Sequence, residues 1–222
     1  MITTTLVDHA VLGRVNLRCL PDGGNLETLL REQQVIGAAA WDGDESDSEK
    51  TFVGSLWFYR VPIPQLLNKH APAWSGYGQE GPGLAAQRGA LAGANISGHA
   101  LGLSCFHVGR LLAGGAFGEP DPRYLGKGIG TRLLLAAIDH ARRGGYRAIL
   151  AGGGPDNVHS FNRWAGMMPA KVFLRNGFTA VAATPIPPAA GAGGIECPPF
   201  VYEEMNAKGL VNERIQHLMR MM

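Results

Sequence analysis

The feature that most constrains this chain is the junction between a glycine-rich loop and a helix at residues 125–138. Residues 125–130 read L-G-K-G-I-G, and the following T-R-L-L-L-A-A-I has the spacing of an amphipathic helix. Glycine lets the backbone come close to a ligand and point its N–H groups at it. The first turn of a helix adds unpaired N–H groups and a partial positive charge. The junction therefore predicts a loop that binds a phosphate or pyrophosphate.

Two familiar nucleotide-binding motifs do not fit this loop well. A P-loop has Lys followed by Ser or Thr, whereas Lys127 is followed by Gly128. A dinucleotide fingerprint is G-x-G-x-x-G directly after a strand, whereas this loop reads G-x-G-x-G and follows the proline-bearing residues 119–122. An enzyme that binds a nucleotide through these glycines is therefore the least favoured hypothesis.

Composition limits the class of protein further. The 222 residues carry a formal net charge of +2, which gives no reason to expect a nucleic acid or an anionic membrane as partner. The sequence shows no apolar stretch long enough for a membrane span and no signal-peptide pattern near its start. Its three widely spaced cysteines, Cys19, Cys105 and Cys197, cannot all pair, which favours a reducing compartment. We therefore expect one cytoplasmic domain.

The first half of the chain predicts a strand, a helix and a β-hairpin. Strands are expected at residues 15–20, 35–41 and 52–61, with a helix from Leu26 after the first of them. A long glycine-rich segment follows, which we expect to be a lid or partly helical. The apolar run at residues 100–108 then predicts a buried central strand.

The second half predicts a parallel crossover followed by shorter elements. The helix beginning near Ile129 should end at Gly144 and lead to a strand at residues 146–151. Its apolar stripe is predicted to be Ile129, Leu133, Ala137, Ile138 and Ala141. Beyond it we expect a helix at 170–176, strands at 178–182 and 200–205, and a C-terminal helix at 212–222 that docks on the domain or pairs two subunits into a homodimer.

The glycine loop resembles the acetyl-CoA pyrophosphate loop of the GNAT acetyltransferase superfamily, [Q/R]-x-x-G-x-[G/A]. Gly128 and Gly130 stand on its two small positions, while Leu125 replaces the usual Gln or Arg. Residues 170–178 resemble the GNAT helix that packs against the pantetheine arm, commonly A-x-x-[LF]-Y-x-x-x-G-F. The resemblance spans roughly residues 14–205, and its specific motifs lie between Ala100 and Phe178.

The resemblance implies an α/β (α+β) fold with a mixed, largely antiparallel central sheet, a splayed parallel strand pair and flanking helices. It also implies three parts. Residues 1–13 would be an N-terminal extension, and residues 14–205 the GNAT-like domain with insertions near 62–98 and 109–121. Residues 206–222 would be a C-terminal helical extension.

Function follows from the same resemblance. It implies an acetyl-CoA-dependent N-acetyltransferase, with acetyl-CoA as co-substrate, that acts on a primary amine of an unidentified small molecule or peptide. In such a protein the backbone of residues 106–108 would pair with the pantetheine amides and the acetyl oxygen. The implied cofactor-binding residues are Phe106, His107, Val108, Leu125, Gly126, Lys127, Gly128, Ile129, Gly130, Thr131 and Phe173.

His107 is the candidate general base, because it lies on the strand expected to border the acetyl group. The alternative is a hydrogen-bonded core histidine. Cys105 on the same strand gives His107 a possible co-ligand, but without a third ligand no metal site is expected. Phe173 stands where many relatives carry a proton-donating tyrosine, and Met167 where they often carry asparagine.

Three explanations of Phe173 stay open. Water or another residue donates the proton, the thiolate leaves unassisted, or the protein is a non-catalytic acyl-CoA sensor. Tyr124 and Tyr146 are expected to pack rather than to donate.

Candidate acceptor contacts lie in two segments. The first is the insertion near 62–98, where Trp74 and Tyr77, together with Glu80 and Arg88, are the candidates. The alternative interpretation of this segment is a solvated insertion that does not contact the acceptor. The second is the loop with Asp156 and His159, for which a solvated turn is favoured.

Overall fold

The computed structural model describes residues 1–15, 26–43, 50–68, 82–108, 121–186, 197–210 and 212–222. Several sequence predictions lie outside these ranges. They are the strand at 15–20 beyond its first residue, nearly all of the insertion at 109–121, and the candidate acceptor residues Trp74, Tyr77 and Glu80.

The described residues form one eight-stranded sheet in the order β1-β2-β3-β4-β5-β8-β7, with β6 beside β5. Neighbouring strands are antiparallel except for the parallel pairs β4–β5 and β5–β6. This arrangement confirms the predicted mixed, largely antiparallel sheet. The strands are β1 (Ile2–Val7), β2 (Gly37–Asp42), β3 (Thr51–Pro62), β4 (His99–Val108), β5 (Ala148–Gly154), β6 (Met168–Pro169), β7 (Thr179–Pro185) and β8 (Arg214–Met221).

Helices cover both faces of the sheet. The central helix α5 packs on one face, and α2, α3 and α4 pack on the other, as the alternation of Ala38 and Ala39 between the two cores shows. The helices are α1 (His9–Leu12), α2 (Leu26–Gln33), α3 (Ile63–Leu67), α4 (Pro82–Gly93), α5 (Ile129–Arg143), α6 (His159–Ala165), α7 (Ala170–Arg175) and α8 (Pro199–Ala207). None of them is both long and apolar enough to span a membrane, within the residues described.

The crossover from β4 through α5 to β5 forms as predicted. All five stripe residues of α5 are buried, and Gly144 is its C-cap. The parallel pair joins only Ala100–Gly102 to Ala148–Leu150. Beyond Gly102 the two strands diverge, which confirms the splayed pair and opens a gap at their carboxyl ends.

Two predictions for the C-terminal part are wrong, because helix and strand are exchanged. The segment predicted as a strand at 200–205 lies in α8, which begins with a proline at its first position. The segment predicted as a helix at 212–222 contains β8, which is paired on both sides by β5 and β7. The segment that was predicted to dock or to pair two subunits as a helix therefore contains an interior strand of the sheet.

The N-terminal extension predicted at residues 1–13 contains a strand of the sheet. β1 pairs with β2 along its whole length, from Ile2 opposite Asp42 to Val7 opposite Gly37. The described parts of the insertion near 62–98 include two helices, α3 and α4.

Candidate active site

A cavity of about 700 Å³ lies at the open end of the splayed strands. The end of β4, the glycine loop and the first turn of α5 form one side, and residues 159–172 form the other. Ten of the eleven predicted cofactor-binding residues line it, namely Phe106, His107, Val108, Leu125, Gly126, Lys127, Gly128, Ile129, Gly130 and Thr131. The structure thus brings the two predicted segments together around one space.

The backbone of the glycine loop is set up to receive an anion. Gly126 and Gly128 have φ of 69° and 70°, in the left-handed region where side chains are strained. No carbonyl of the described residues accepts a hydrogen bond from the backbone N–H groups of residues 126–131. The first regular bond of α5 runs from the Arg132 N–H to the Gly128 carbonyl, at 3.0 Å. These donors, unpaired within the described residues, match the acceptor oxygens of a pyrophosphate.

Close packing explains two further glycines. A Cβ on Gly130 would overlap the sulfur of Met168 and touch Val108. A Cβ on Gly54 in β3 would come within 2.7 Å of the His107 carbonyl oxygen. Both positions let the first turn of α5 lie directly against the end of β4.

A bulge in β4 changes the backbone beside the gap. The register with β3 shifts between Ser55 and Trp57, and opposite this shift Cys105 adopts a φ of 51°. The N–H of Phe106 then donates to the Gly166 carbonyl, at 2.7 Å. This N–H was predicted to pair with the bound thioester, but its hydrogen bond is already made within the chain.

His107 is half-buried and lines the cavity. Its Nε2 atom is buried and has no hydrogen-bond partner among the described residues. A core histidine held by hydrogen bonds would satisfy this atom, since a buried polar atom without a partner is unfavourable. His107 therefore lines the cavity and carries a ring nitrogen whose hydrogen bond the described residues leave unmet.

Phe173 is the one predicted cofactor residue that does not line the cavity. Its side chain is fully buried and packs edge-on against Phe106 and Phe178, with ring centroids 5.6 Å and 5.3 Å apart. Phe173 therefore packs behind a residue that does line the cavity, Phe106. Its contact with the cofactor stays a prediction.

Neither tyrosine near the loop is placed to donate a proton in the cavity, because the Tyr124 hydroxyl is already bonded and Tyr146 does not line the cavity. Tyr124 lines the cavity, but its hydroxyl donates to Asp42 at 3.2 Å, and burial together with this carboxylate raises its pKa. Tyr146 follows the far end of α5, where its ring lies 5.6 Å from that of His140. Both belong to the packing, as the sequence analysis predicted.

The opposite wall of the cavity comes from α6 and residues 167–172, with Glu204 contributed by α8. Neither α6 nor α8 was predicted as a helix. The polar members of this wall are His159, Ser160, Asn162, Arg163 and Glu204. Asp156 instead accepts from the Lys171 N–H at 2.9 Å, at the start of α7. Arg88 lies in α4, which packs against β7 and β8, so it contributes no lining to this cavity.

Glu204 holds the first turn of α6 in place. Its carboxylate accepts from the His159 N–H at 3.1 Å, from the Ser160 N–H at 2.7 Å, and from the Ser160 hydroxyl and the Lys208 ammonium. Burial alone would raise the pKa of Glu204, but the hydrogen bonds from Lys208, Ser160 and His159 outweigh it and lower the pKa to about 2. Glu204 is therefore an ionised anchor for this wall.

We expect Glu204→Gln to lower the free energy of unfolding by about 1–2 kcal/mol at neutral pH, because a charged cap is lost. The folded-state pKa is depressed, so the stabilisation is present above pH 4.5 and is lost as pH falls toward 2. Urea unfolding at a series of pH values measures this difference. Glu203→Gln, at the exposed neighbouring position, is the control. A difference that stays constant down to acid pH would contradict the assignment.

No group of three or more His, Cys, Asp or Glu side chains that could hold a metal ion occurs in the described part of the chain. Cys105 and His107 have no third ligand there.

Comparison with known proteins agrees with this geometry. Residues 72–167 match the model of the acetyltransferase (GNAT) family, a stretch that contains β4, the glycine loop, α5 and β5. The match confirms the resemblance noted in the sequence over these residues and supports an acyltransferase enzyme.

Solved structures share the fold at low sequence identity. A mosquito arylalkylamine N-acetyltransferase like 5b is 14% identical with a TM-score of 0.53, covering 100% of both chains. An agmatine N-acetyltransferase has 14% identity and a TM-score of 0.51, covering 100% of this chain and 99% of its own. A Drosophila melanogaster polyamine N-acetyltransferase that forms N-acetylagmatine has 14% identity, a TM-score of 0.50 and full coverage of both. No curated protein sequence matches the chain.

Proposed function

We propose that this chain transfers an acetyl group from acetyl-CoA to a primary amine of a small molecule or peptide. The observation that carries the proposal is the row of unpaired N–H groups at residues 126–131, which opens onto the cavity beside the splayed strands. The family match supports acetyl transfer as the reaction. The cytoplasmic location and the homodimer remain predictions from the sequence.

The glycine loop would hold the pyrophosphate of acetyl-CoA. The backbone donors of Gly126 to Thr131 and the exposed ammonium of Lys127 would face its negative charge. The pantetheine arm would then run along the gap toward His107. Because Phe106 donates to Gly166, this arm would either use other backbone groups of β4 or displace the Gly166 carbonyl.

His107 would act as the general base. Its unpartnered ring nitrogen would accept a proton from the acceptor ammonium or from the attacking amine. The amine nitrogen forms a bond to the thioester carbonyl carbon, the C–S bond breaks, and coenzyme A leaves as a thiolate. Holding the two reactants together in one cavity supplies a large part of the acceleration.

The thiolate would take up its proton from water in the cavity. Phe173 has no proton to donate, and the hydroxyls of Tyr124 and Ser160 already donate to carboxylates. This assignment accounts for the phenylalanine at the position where many relatives carry tyrosine.

Release of free thiol tests the function. The purified chain is incubated with acetyl-CoA and a panel of amines, beginning with agmatine, polyamines and arylalkylamines because the similar structures act on these. We expect one class of amine to raise thiol release well above the rate without amine, with an acetylated product of matching mass. Tight binding of acetyl-CoA without turnover of any amine would contradict the proposal.

A further inference from the structure

A second polar cavity lies at the opposite end of α5 from the candidate active site. It consists of two adjoining spaces of about 290 and 300 Å³, which share Glu32, Gln33, Arg60 and His99. The last turn of α5 and the residues after it close one side, through His140 and Tyr146. Because α5 has 15 residues and is about 22 Å long, this cavity is well separated from the glycine loop.

Opposite charges line this cavity without pairing. Glu32 and Arg60 are both exposed at its rim. Neither forms an ion pair with any other residue in the described part of the chain. A purely anionic ligand would meet the carboxylate of Glu32, and a purely cationic ligand would meet the guanidinium of Arg60. The wall is therefore complementary to a ligand that carries both charges.

Neutral imidazoles complete the polar wall. Burial, and secondarily the charge of Arg60, lowers the pKa of His99, whose Nδ1 lies 3.5 Å from the Arg60 guanidinium. Burial and then the charge of Arg143 lower the pKa of His140, against an opposing effect of Asp139. The Nε2 of His140 is buried and has no hydrogen-bond partner among the described residues. The two imidazoles thus add polar surface to the cavity without a further charge.

The frame around these groups is fixed by hydrogen bonds and stacking. The buried side chain of Gln33 donates to the Phe58 carbonyl and accepts from the Arg60 N–H, both at 2.8 Å. The His140 ring stacks on Phe58, with centroids 5.6 Å apart and planes 16° from parallel. Such a frame holds the backbone of Arg60 and the ring of His140 in position before any ligand arrives, which reduces the entropy lost on binding.

We propose that this cavity binds a small zwitterion of the α-amino acid class. The Arg60 guanidinium takes the carboxylate, in the two-pronged geometry that suits these groups, and the Glu32 carboxylate takes the ammonium. The combined volume lies within the range of known small-molecule sites. This site is distinct from the cavity that would hold acetyl-CoA and its acceptor.

Calorimetric titration tests the proposal. The full chain is titrated with each of the standard L-amino acids, and then with the methyl ester and the N-acetyl derivative of the one that binds most tightly. We expect the free amino acid to bind, and each derivative to bind at least about tenfold more weakly because one charge is removed. Failure of every amino acid to bind would overturn the proposal. Binding of inorganic phosphate or acetate as tight as that of the best amino acid would also overturn it, in favour of an anion site.

Two variants locate the binding. Arg60→Gln and Glu32→Gln should each lower the affinity for the amino acid at least about tenfold. Arg175→Gln and Glu203→Gln, at exposed positions outside this cavity, should leave that affinity unchanged. If only Arg60→Gln loses amino-acid binding, the ligand is not recognised as a zwitterion. If both variants retain binding, the ligand binds elsewhere on the protein. Binding that persists in Gly128→Val separates this site from the candidate active site, so the outcome does not depend on whether the chain acetylates amines.

Discussion

Replacing Gly128 by Val is expected to remove acetyl-CoA binding while leaving the fold in place. Gly128 has a φ of 70°, and a β-branched residue is strongly disfavoured there. Relief of that strain would turn the peptide units on either side of Gly128 and take their N–H groups out of the row at residues 126–131. We expect the dissociation constant for acetyl-CoA, measured by calorimetry, to rise by about a hundredfold or more.

Gly209→Val is the matched control. Gly209 has a φ of 66°, and at both positions an added Cβ meets no atom within 4 Å, so the two changes impose a similar backbone strain. Both variants should lose about 1–3 kcal/mol of unfolding free energy. Only Gly128→Val should lose the ability to bind acetyl-CoA. Equal affinities in the two variants would show that the glycine loop does not bind the pyrophosphate.

Replacing His107 by Ala is expected to lower kcat by about 10²–10⁴ fold, the range lost when a positioned general base is removed. His107 lines the cavity, its buried Nε2 has no partner among the described residues, and the described lining offers one other imidazole, His159. The affinity for acetyl-CoA should stay unchanged, because in the proposed function backbone groups of the glycine loop would hold the pyrophosphate. Steady-state kinetics with the best amine, together with acetyl-CoA titration, separates the two effects.

His9→Ala in α1 is the control for His107→Ala, since His9 is an exposed histidine outside the cavity. It should leave both kcat and KM unchanged. If His107→Ala retains a kcat within a fewfold of the parent enzyme, another group takes the proton, and His159 is the next candidate to replace. If His107→Ala instead lowers the affinity for acetyl-CoA, the imidazole contributes to binding rather than to proton transfer.

The glycine loop and α5 could be predicted from the sequence because the signals for them are local. Three alternate glycines give the loop, the periodicity of the following residues gives the helix, and Gly144 ends it. The cavity residues at 106–108 and 125–131 could be predicted because this part of the sequence resembles a known family. These features depend little on the rest of the chain.

The exchanged elements near the C-terminus show where local signals fail. In β8, Ile215, Leu218 and Met219 have helical spacing, yet pairing with β5 and β7 makes the segment a strand. Partners so distant in sequence override a weak local preference. For α8, the proline at its first position was a usable signal, but the run of aromatic and β-branched residues at 200–202 favoured a strand.

The second wall of the cavity could not be predicted for a related reason. Glu204 reaches α6 from a helix more than forty positions away, and no pattern in the sequence links the two. The hydrogen bond from Phe106 to Gly166 likewise depends on a bulge in β4 and a helix that was not foreseen. Both contacts are long-range, and both decide which backbone groups face the cavity.

The placement of β8 between β5 and β7 sets an order for assembly as the chain emerges from the ribosome. β5 and β7 flank a strand that follows both of them in the sequence. Until β8 has been synthesised, β5 therefore has an open edge and β7 lacks the strand that joins it to the sheet. Open edges recruit strands from other chains, so a nascent chain halted before Arg214 would expose one on β5.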